Sequence, residues 1–341
     1  AVPVGATAIV VNVTVPNPTS DGHVRIMPGD AALTSASAVN FRAGESIANG
    51  LTAKIDAQRR VKVYTGAAAD VVLDVVGYFV PATAPASGRF TPLVPVRVYD
   101  SVADPLGELP GTSDRQVSTA TALSGGATAV PAGATAVAYN ITVVRPAGAG
   151  HLRVMPGDET TSSSSTINWA TGGDVIANGL TVRVDAQRKV RVFNSSGAPV
   201  HFLLDVVGYY SATGSQFYPS DPARVLDTRV AFGGAGPLGA SGTRTASVAS
   251  SLPSAGGSEQ VPSGAVAIAY NLTVANTGGG GHLRVYPTGS ALVPASALNW
   301  PASGYTRANG SIVAISPGRQ VDIYNGSPSA DVLIDTLGYY R

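Results

Sequence analysis

Ala8-Ile9-Val10-Val11-Asn12-Val13-Thr14-Val15 is the stretch whose reading decides the fold. Ile9, Val11, Val13 and Val15 share one face of an extended chain, and Ala8, Val10, Asn12 and Thr14 share the other. Period-two alternation of β-branched residues is the pattern of a strand in a packed sheet. The stretch recurs as Val137-Ala138-Tyr139-Asn140-Ile141-Thr142-Val143 and as Ile268-Ala269-Tyr270-Asn271-Leu272-Thr273-Val274, with the Asn at steps of 128 and 131 residues. Three copies of one unit therefore fill nearly the whole chain.

Working outward, each copy opens with a Pro-x-Gly-Ala turn at Pro3, Pro131 or Pro262. A Gly-His-x-Arg strand follows its first strand, at Gly22, Gly150 and Gly281, and ends in a Pro that cannot donate to a ladder. Next come an Asn-aromatic pair (Asn40-Phe41, Asn168-Trp169, Asn299-Trp300) and an Ala-Asn-Gly segment ending at Gly50, Gly179 and Gly310. Each copy closes on Asp-x-x-Gly-Tyr-aromatic, from Asp74, Asp205 and Asp335. Copies two and three carry an N-terminal arm, from Phe90 to about Val130 and from Phe217 to about Val261, with Arg97-Val98-Tyr99-Asp100 or Arg224-Val225-Leu226-Asp227 inside it. Copy one has no such arm in this sequence. Linkers are expected at Val80 to Gly88 and at Ser211 to Ser215.

Six strands per core, more with the arm, suit a two-layer antiparallel arrangement. The expectation is an all-β protein of three tandem antiparallel β-sandwich domains, spanning 1–80, 88–211 and 215–341. Forty glycines and twenty-four prolines, with no sustained 3.6-residue apolar period, leave little room for helix.

A net charge of +1 with 13% charged residues argues against a nucleic-acid binder. The absence of cysteine excludes disulfides, thiolate metal sites and cysteine nucleophiles. No apolar run is long enough for a membrane-spanning helix. With no signal peptide or initiator Met, the sequence reads as a mature or partial product. Its Ala, Gly, Ser and Thr richness suits an extracellular or cell-surface bacterial location.

Asn12, Asn49 and Asp74, with Asn140, Asn178 and Asp205 and with Asn271, Asn309 and Asp335, are polar residues in apolar strands. Buried polar groups need partners, so the nine are read first as a hydrogen-bonded network that fixes register. A structural calcium ion held by the Asp and neighbouring oxygens is the second reading, thin in carboxylates; no other cofactor is expected. The Asn-x-Thr triplets match a glycosylation acceptor but lie in mid-strand. His23 and Arg25, His151 and Arg153, and His282 and Arg284 are expected on an interface face, one His per copy being too few for a metal cluster. Phe41, Trp169 and Trp300 are either core residues or a sugar-stacking platform. Lys54, Arg59, Arg60 and Lys62, echoed by Arg183, Arg188, Lys189 and Arg191, form a basic hairpin that an anionic cell-wall polymer could contact. No Ser-His-Asp order, Gly-x-Ser-x-Gly elbow or recurring second acid points to an enzyme.

These motifs together, with Arg224-Val225-Leu226-Asp227-Thr228-Arg229 in the third copy, resemble a tandem β-rich repeat of secreted and cell-surface proteins of actinobacteria, a family of largely unknown function. Copy two departs from it at Asp100-Ser101-Val102, which lacks the second Arg. The resemblance implies an extracellular role. The armless first copy reads first as a fragment or mature form whose arm was cut, and otherwise as an exposed sheet edge, which invites strand addition from another chain. The functional expectation is a non-catalytic structural or adhesive protein, a filament subunit assembling head to tail by completion of copy one. Its alternative is a carbohydrate- or cell-wall-binding protein. Self-association or a cell-wall polysaccharide is then the partner.

Overall fold

The computed structural model describes residues 2–81, 88–230, 236–253 and 256–341; of the expected linker Val80 to Gly88, residues 82–87 lie outside them. The described residues form strands and no α-helix. Repeat one contributes β1 (Ala8–Val15), β2 (Gly22–Pro28), β3 (Val39–Phe41), β4 (Ile47–Lys54), β5 (Val61–Thr65) and β6 (Val72–Phe79). Repeat two contributes β7 (Arg89–Asp100), β8 (Asp114–Ser118), β9 (Ala136–Val144), β10 (Gly150–Pro156), β11 (Ile167–Trp169), β12 (Val175–Arg183), β13 (Lys189–Asn194) and β14 (His201–Ser211). Repeat three contributes β15 (Phe217–Asp227), β16 (Leu238–Gly239), β17 (Thr243–Ser247), β18 (Ala267–Ala275), β19 (Gly281–Pro287), β20 (Leu298–Trp300), β21 (Arg307–Ala314), β22 (Gln320–Asn325) and β23 (Ser329–Tyr340).

Six small antiparallel sheets result, two from each repeat, and they are arranged as a six-bladed β-propeller. This corrects the expectation of three sandwiches in tandem. The two sheets of one repeat do share an apolar layer, as Ile141 of β9, Leu152 of β10 and Val192 of β13 do in repeat two. The repeats are nevertheless closed on one another about a common axis. One apolar cluster joins Val11, Val13 and Val24 of repeat one to Ala138 and Tyr210 of repeat two and Ala269 and Tyr340 of repeat three. A row of separate sandwiches would have no such shared core.

Every residue of β1 is buried, on both faces, which explains its lack of a polar side. Ile9, Val11, Val13 and Val15 enter the apolar cluster, and the opposite face looks toward the neighbouring repeats. β1 lies between β4 and β6, with Asn12 opposite both Gly50 and Asp74. β9 lies likewise between β12 and β14, and β18 between β21 and β23. The edge strands β4, β12 and β21 converge on the axis, where each shields another's unpaired edge.

The arm supplies what lies outside the closing strand. β7 pairs with β14 and β15 with β23, and β8 and β17 extend the second sheet of their repeats. In repeat one, β6 and β5 are open edges instead.

Candidate functional site

At the axis the Ala-Asn-Gly segments form a closed cycle. Asn178 donates from Nδ2 to Asn12 Oδ1 at 3.0 Å, and its Oδ1 accepts from the Gly50 N–H at 2.7 Å. Asn309 does the same toward Asn140 Oδ1 (2.9 Å) and the Gly179 N–H (2.9 Å). Asn49 completes the cycle with Asn271 Oδ1 (2.9 Å) and the Gly310 N–H (2.6 Å). Asn12, Asn140 and Asn271 in turn donate to the carbonyls of Ser165, Ser296 and Ser37, each in the next repeat. All six Asn are buried, and the bonds that pair them run between repeats. The glycines are obligatory here, because a Cβ on Gly50, Gly179 or Gly310 would overlap the carbonyl of the next glycine round the axis.

The aspartates do not belong to this cycle. Asp205 is fully buried and receives Arg97 of the arm through Nε at 2.9 Å and Nη2 at 3.1 Å. Asp335 receives Arg224 in the same bidentate way, both bonds at 2.9 Å. Burial pushes both carboxyls above the ordinary carboxylate value, while the guanidinium opposes that rise. In repeats two and three the carboxylate oxygens named in the calcium reading accept from arginine.

The other expectations resolve inside single repeats, apart from one ion pair between repeats one and three, Lys54 with Asp221. Trp169 and Trp300 are buried, donating from Nε1 to the carbonyls of Gly148 (2.5 Å) and Gly279 (2.7 Å), and Phe41 is buried too. None presents a ring face to a sugar. His23, His151 and His282 accept from Arg25, Arg153 and Arg284 at 3.1, 3.4 and 3.1 Å. Those arginines also hold the carbonyls of Thr34, Ser162 and Val293, so the His-Arg pairs tie down a loop of their own repeat. Burial and the neighbouring guanidinium keep each imidazole below its ordinary value. In the basic hairpins, Arg60 pairs with Asp56, Lys54 with Asp221, and Arg183 with Asp158 and Glu159. Among the described residues no helix is long and apolar enough to cross a membrane.

What stands out is the face that repeat one leaves open. Val72, Leu73, Val75, Val76 and Tyr78 of β6 are all exposed, Val75 by 50% and Tyr78 by 51%. Of their counterparts in repeat two, Leu203, Leu204, Val206 and Val207 are buried and Tyr209 is half-buried. Asp74, the counterpart of Asp205 and Asp335, lies half-buried with no ion pair among the described residues. Burial alone pushes its carboxyl up.

The arms show how the equivalent face is covered in repeats two and three. Phe90-x-Pro92-x-x-Pro95-x-Arg97-Val98-x-Asp100 and Phe217-x-Pro219-x-x-Pro222-x-Arg224-Val225-x-Asp227 have the same spacing. In register, Phe90 lies opposite Tyr210, Pro92 opposite Gly208 and Arg97 opposite Asp205. Phe217, Pro219 and Arg224 lie opposite Tyr340, Gly338 and Asp335. The prolines suit a strand whose outer edge takes no further partner. The phenylalanines wedge between repeats: Phe90 packs on Tyr210 and Tyr340 (5.0 and 4.4 Å), and Phe217 on Tyr340 and Phe79 (4.9 and 4.5 Å). A Cβ on Gly208 or Gly338 would strike those rings. The sequence displayed the Arg-Val-x-Asp motif and the recurring glycines. It did not show that the arm's Arg and Phe are read by the Asp and Gly of the closing strand.

The chain matches no family model and no curated protein sequence. Among solved structures it is similar to a protein of the Sulfolobus turreted icosahedral virus, at 9% identity, 99% of this chain and 81% of that one, and a TM-score of 0.19. A tandem CBM22 domain of Xyn10C from Paenibacillus barcinonensis is similar at 11% identity, over 75% of this chain and 99% of that one, with a TM-score of 0.18. A cycloalternan-forming enzyme of Listeria monocytogenes is similar at 10% identity, over 99% and 29%, with a TM-score of 0.21. Scores this low carry no argument about what the chain does.

Proposed function

We propose that this chain is a non-catalytic structural or adhesive protein of the cell exterior, a subunit that joins others by accepting a strand at repeat one. The single observation carrying this reading is the open β6 edge, with five exposed large apolar side chains where the sister strands β14 and β23 are covered. Unpaired apolar edges are templates for strand addition, and soluble proteins otherwise blunt them. An acceptor on one part of a rigid block and a donor on another generate an open, head-to-tail assembly rather than a closed one. The axial ring suits such a block, since its asparagines and glycines are engaged in holding the repeats together.

Sedimentation velocity across a wide concentration range, with electron microscopy of the same samples, tests this. Concentration-dependent oligomers or fibres are expected, and a β6 carrying Val75→Lys with Val76→Lys should abolish them. A monodisperse monomer at the highest concentration reached, with no fibres in material from the native source, would overturn the reading.

A further inference from the structure

We propose that the propeller has a gate: the ring opens at the junction of repeats three and one, and Glu45 is the residue that holds that junction shut. The gate does not rest on the open β6 edge, and its failure would leave the functional reading as it stands.

The three junctions share one plan. β4 of repeat one lies against β11 of repeat two, β12 against β20 of repeat three, and β21 against β3 of repeat one. Each also has one axial glycine N–H bonded to an Asn of the other repeat: Gly50 to Asn178, Gly179 to Asn309 and Gly310 to Asn49. The chain runs on from repeat one to two and from two to three, and a short tether keeps parted surfaces at high effective concentration. Repeats three and one meet with no such link: Glu45 and Arg307 are 262 residues apart along the chain. The entropy cost of closing a loop rises with its length.

The side chains at this junction differ as well. Ile47, Ile176 and Arg307 occupy equivalent positions and line one small cavity. Ile47 and Ile176 belong to apolar clusters. Arg307 is just as buried, so repeat three sets a charge where its sisters set a hydrocarbon. Its Nη2 reaches Glu45 Oε2 at 3.5 Å, and its Nη1 has no hydrogen-bond partner among the described residues. Asp174 of repeat two lines the same cavity, but Glu45 is the acid that pairs with Arg307. Glu45 also accepts from Tyr305 Oη at 3.0 Å, and the Arg42 guanidinium stacks 3.8 Å from the centre of that ring and donates to the Gly304 carbonyl. All these contacts run between repeats one and three, and they converge on a carboxylate that is 25% exposed. A buried charge loses more on parting from its partner than an apolar pair of the same size would, and it coheres less well while paired. The junction without a tether is therefore also the one closed by a contact that water can replace.

The test is native-state hydrogen exchange of the full chain, read by NMR at the amides of Gly50, Gly179 and Gly310, one for each junction. In the wild type Gly310 should exchange fastest, by about tenfold or more. Glu45→Ala strands Arg307 and should speed Gly310 about tenfold further, with Gly50 and Gly179 still slower than Gly310. Adding Arg307→Ile to Glu45→Ala gives the junction the residue its sisters carry and should return Gly310 to the wild-type rate or below. Should Glu45→Ala not fold, Arg307→Ile alone decides: Gly310 should exchange no faster than in the wild type. Three glycines exchanging alike in the wild type would overturn the gate. So would a Glu45→Ala effect that is absent or equal at all three, a double variant no slower than the single one, or faster exchange of Gly310 in Arg307→Ile.

Discussion

Asn178→Ala should cost about 3 kcal/mol, because the side chain it removes serves two repeats at once. Asn178 donates to Asn12 Oδ1 and to the Thr166 carbonyl and accepts from the Gly50 N–H. Alanine takes away the acceptor of a buried N–H in one repeat and the donor to a buried amide oxygen in the same repeat. Each buried group left without its partner costs about 1–3 kcal/mol, so the range is about 2–6 kcal/mol. A void of about 20 Å³ on the axis, lined by Gly50, Gly179 and Gly310, lies close by, room for about one water. Hydration there would recover part of the loss and places the expectation in the lower half of the range. Urea denaturation reads it as a lower midpoint at constant slope. Asn40→Ala is the comparator: Asn40 is half-buried and bonds only Ser37 Oγ within its own repeat, so its loss should stay below about 1 kcal/mol.

Asn178→Asp sharpens the same argument. A carboxylate keeps the acceptor for Gly50 but faces two oxygens where it should donate. Burial and those oxygens raise the pKa of this carboxyl in the folded state above its unfolded value, about 3.9. The folded state then binds the proton more tightly, so stability falls as pH rises from about 4 toward neutrality more steeply than in the wild type, whose Asp205 and Asp335 already contribute in that direction. The ring account fails if Asn178→Ala costs under about 1 kcal/mol, if Asn40→Ala costs as much, or if Asn178→Asp keeps the pH dependence of the wild type.

Arg97→Met leaves Asp205 buried without its cation and should destabilise by about 3 kcal/mol at pH 7. The loss should shrink in acid, where the carboxyl is protonated; calorimetric midpoints at pH 4 and 7 make the comparison. Trp169→Ala empties a buried site and breaks the bond to Gly148, so a loss of about 3–5 kcal/mol is expected. A glycan array on the intact protein should show no ligand whose binding depends on Trp169 or Trp300. His23, His151 and His282 all have folded pKa values below the ordinary one, so the unfolded chain binds more protons there. Their contribution is complete above about pH 6.5 and is lost as pH falls below it, a slope that replacement of all three by Gln should flatten in denaturation midpoints at pH 5 and 7.

The repeat, the all-β class and most strands are legible in the alternation of residues such as Ile9, Val11 and Val13, because that period follows from strand geometry. The closure about an axis is not. Asn12 announces a buried polar group, but alternation cannot say whether its partner lies in its own sheet or 166 residues away at Asn178. Tandem order suggests beads on a string, and only the glycine after each axial Asn hinted that three backbones approach one another. Trp169 was ambiguous for a related reason: strand parity assigns a face but does not say which face is covered. The pairing of Arg97 with Asp205 required the register between arm and closing strand, which lies in neither segment alone.

Axis and rim place different demands on the three repeats, and repeat one separates them. Round the axis each Asn-Gly pair gives a donor and an acceptor to its neighbours, so a change in one copy strands groups in another. All three copies keep Asn and Gly there. On the rim the arm lies beside the closing strand, and its Phe reaches the next repeat, as Phe217 does on Phe79. In repeat one Thr65 stands where Asn194 and Asn325 bind arm carbonyls. The axial cycle does not depend on that rim packing, since repeat one keeps Asn12, Asn49 and Gly50 in the cycle beside an open β6.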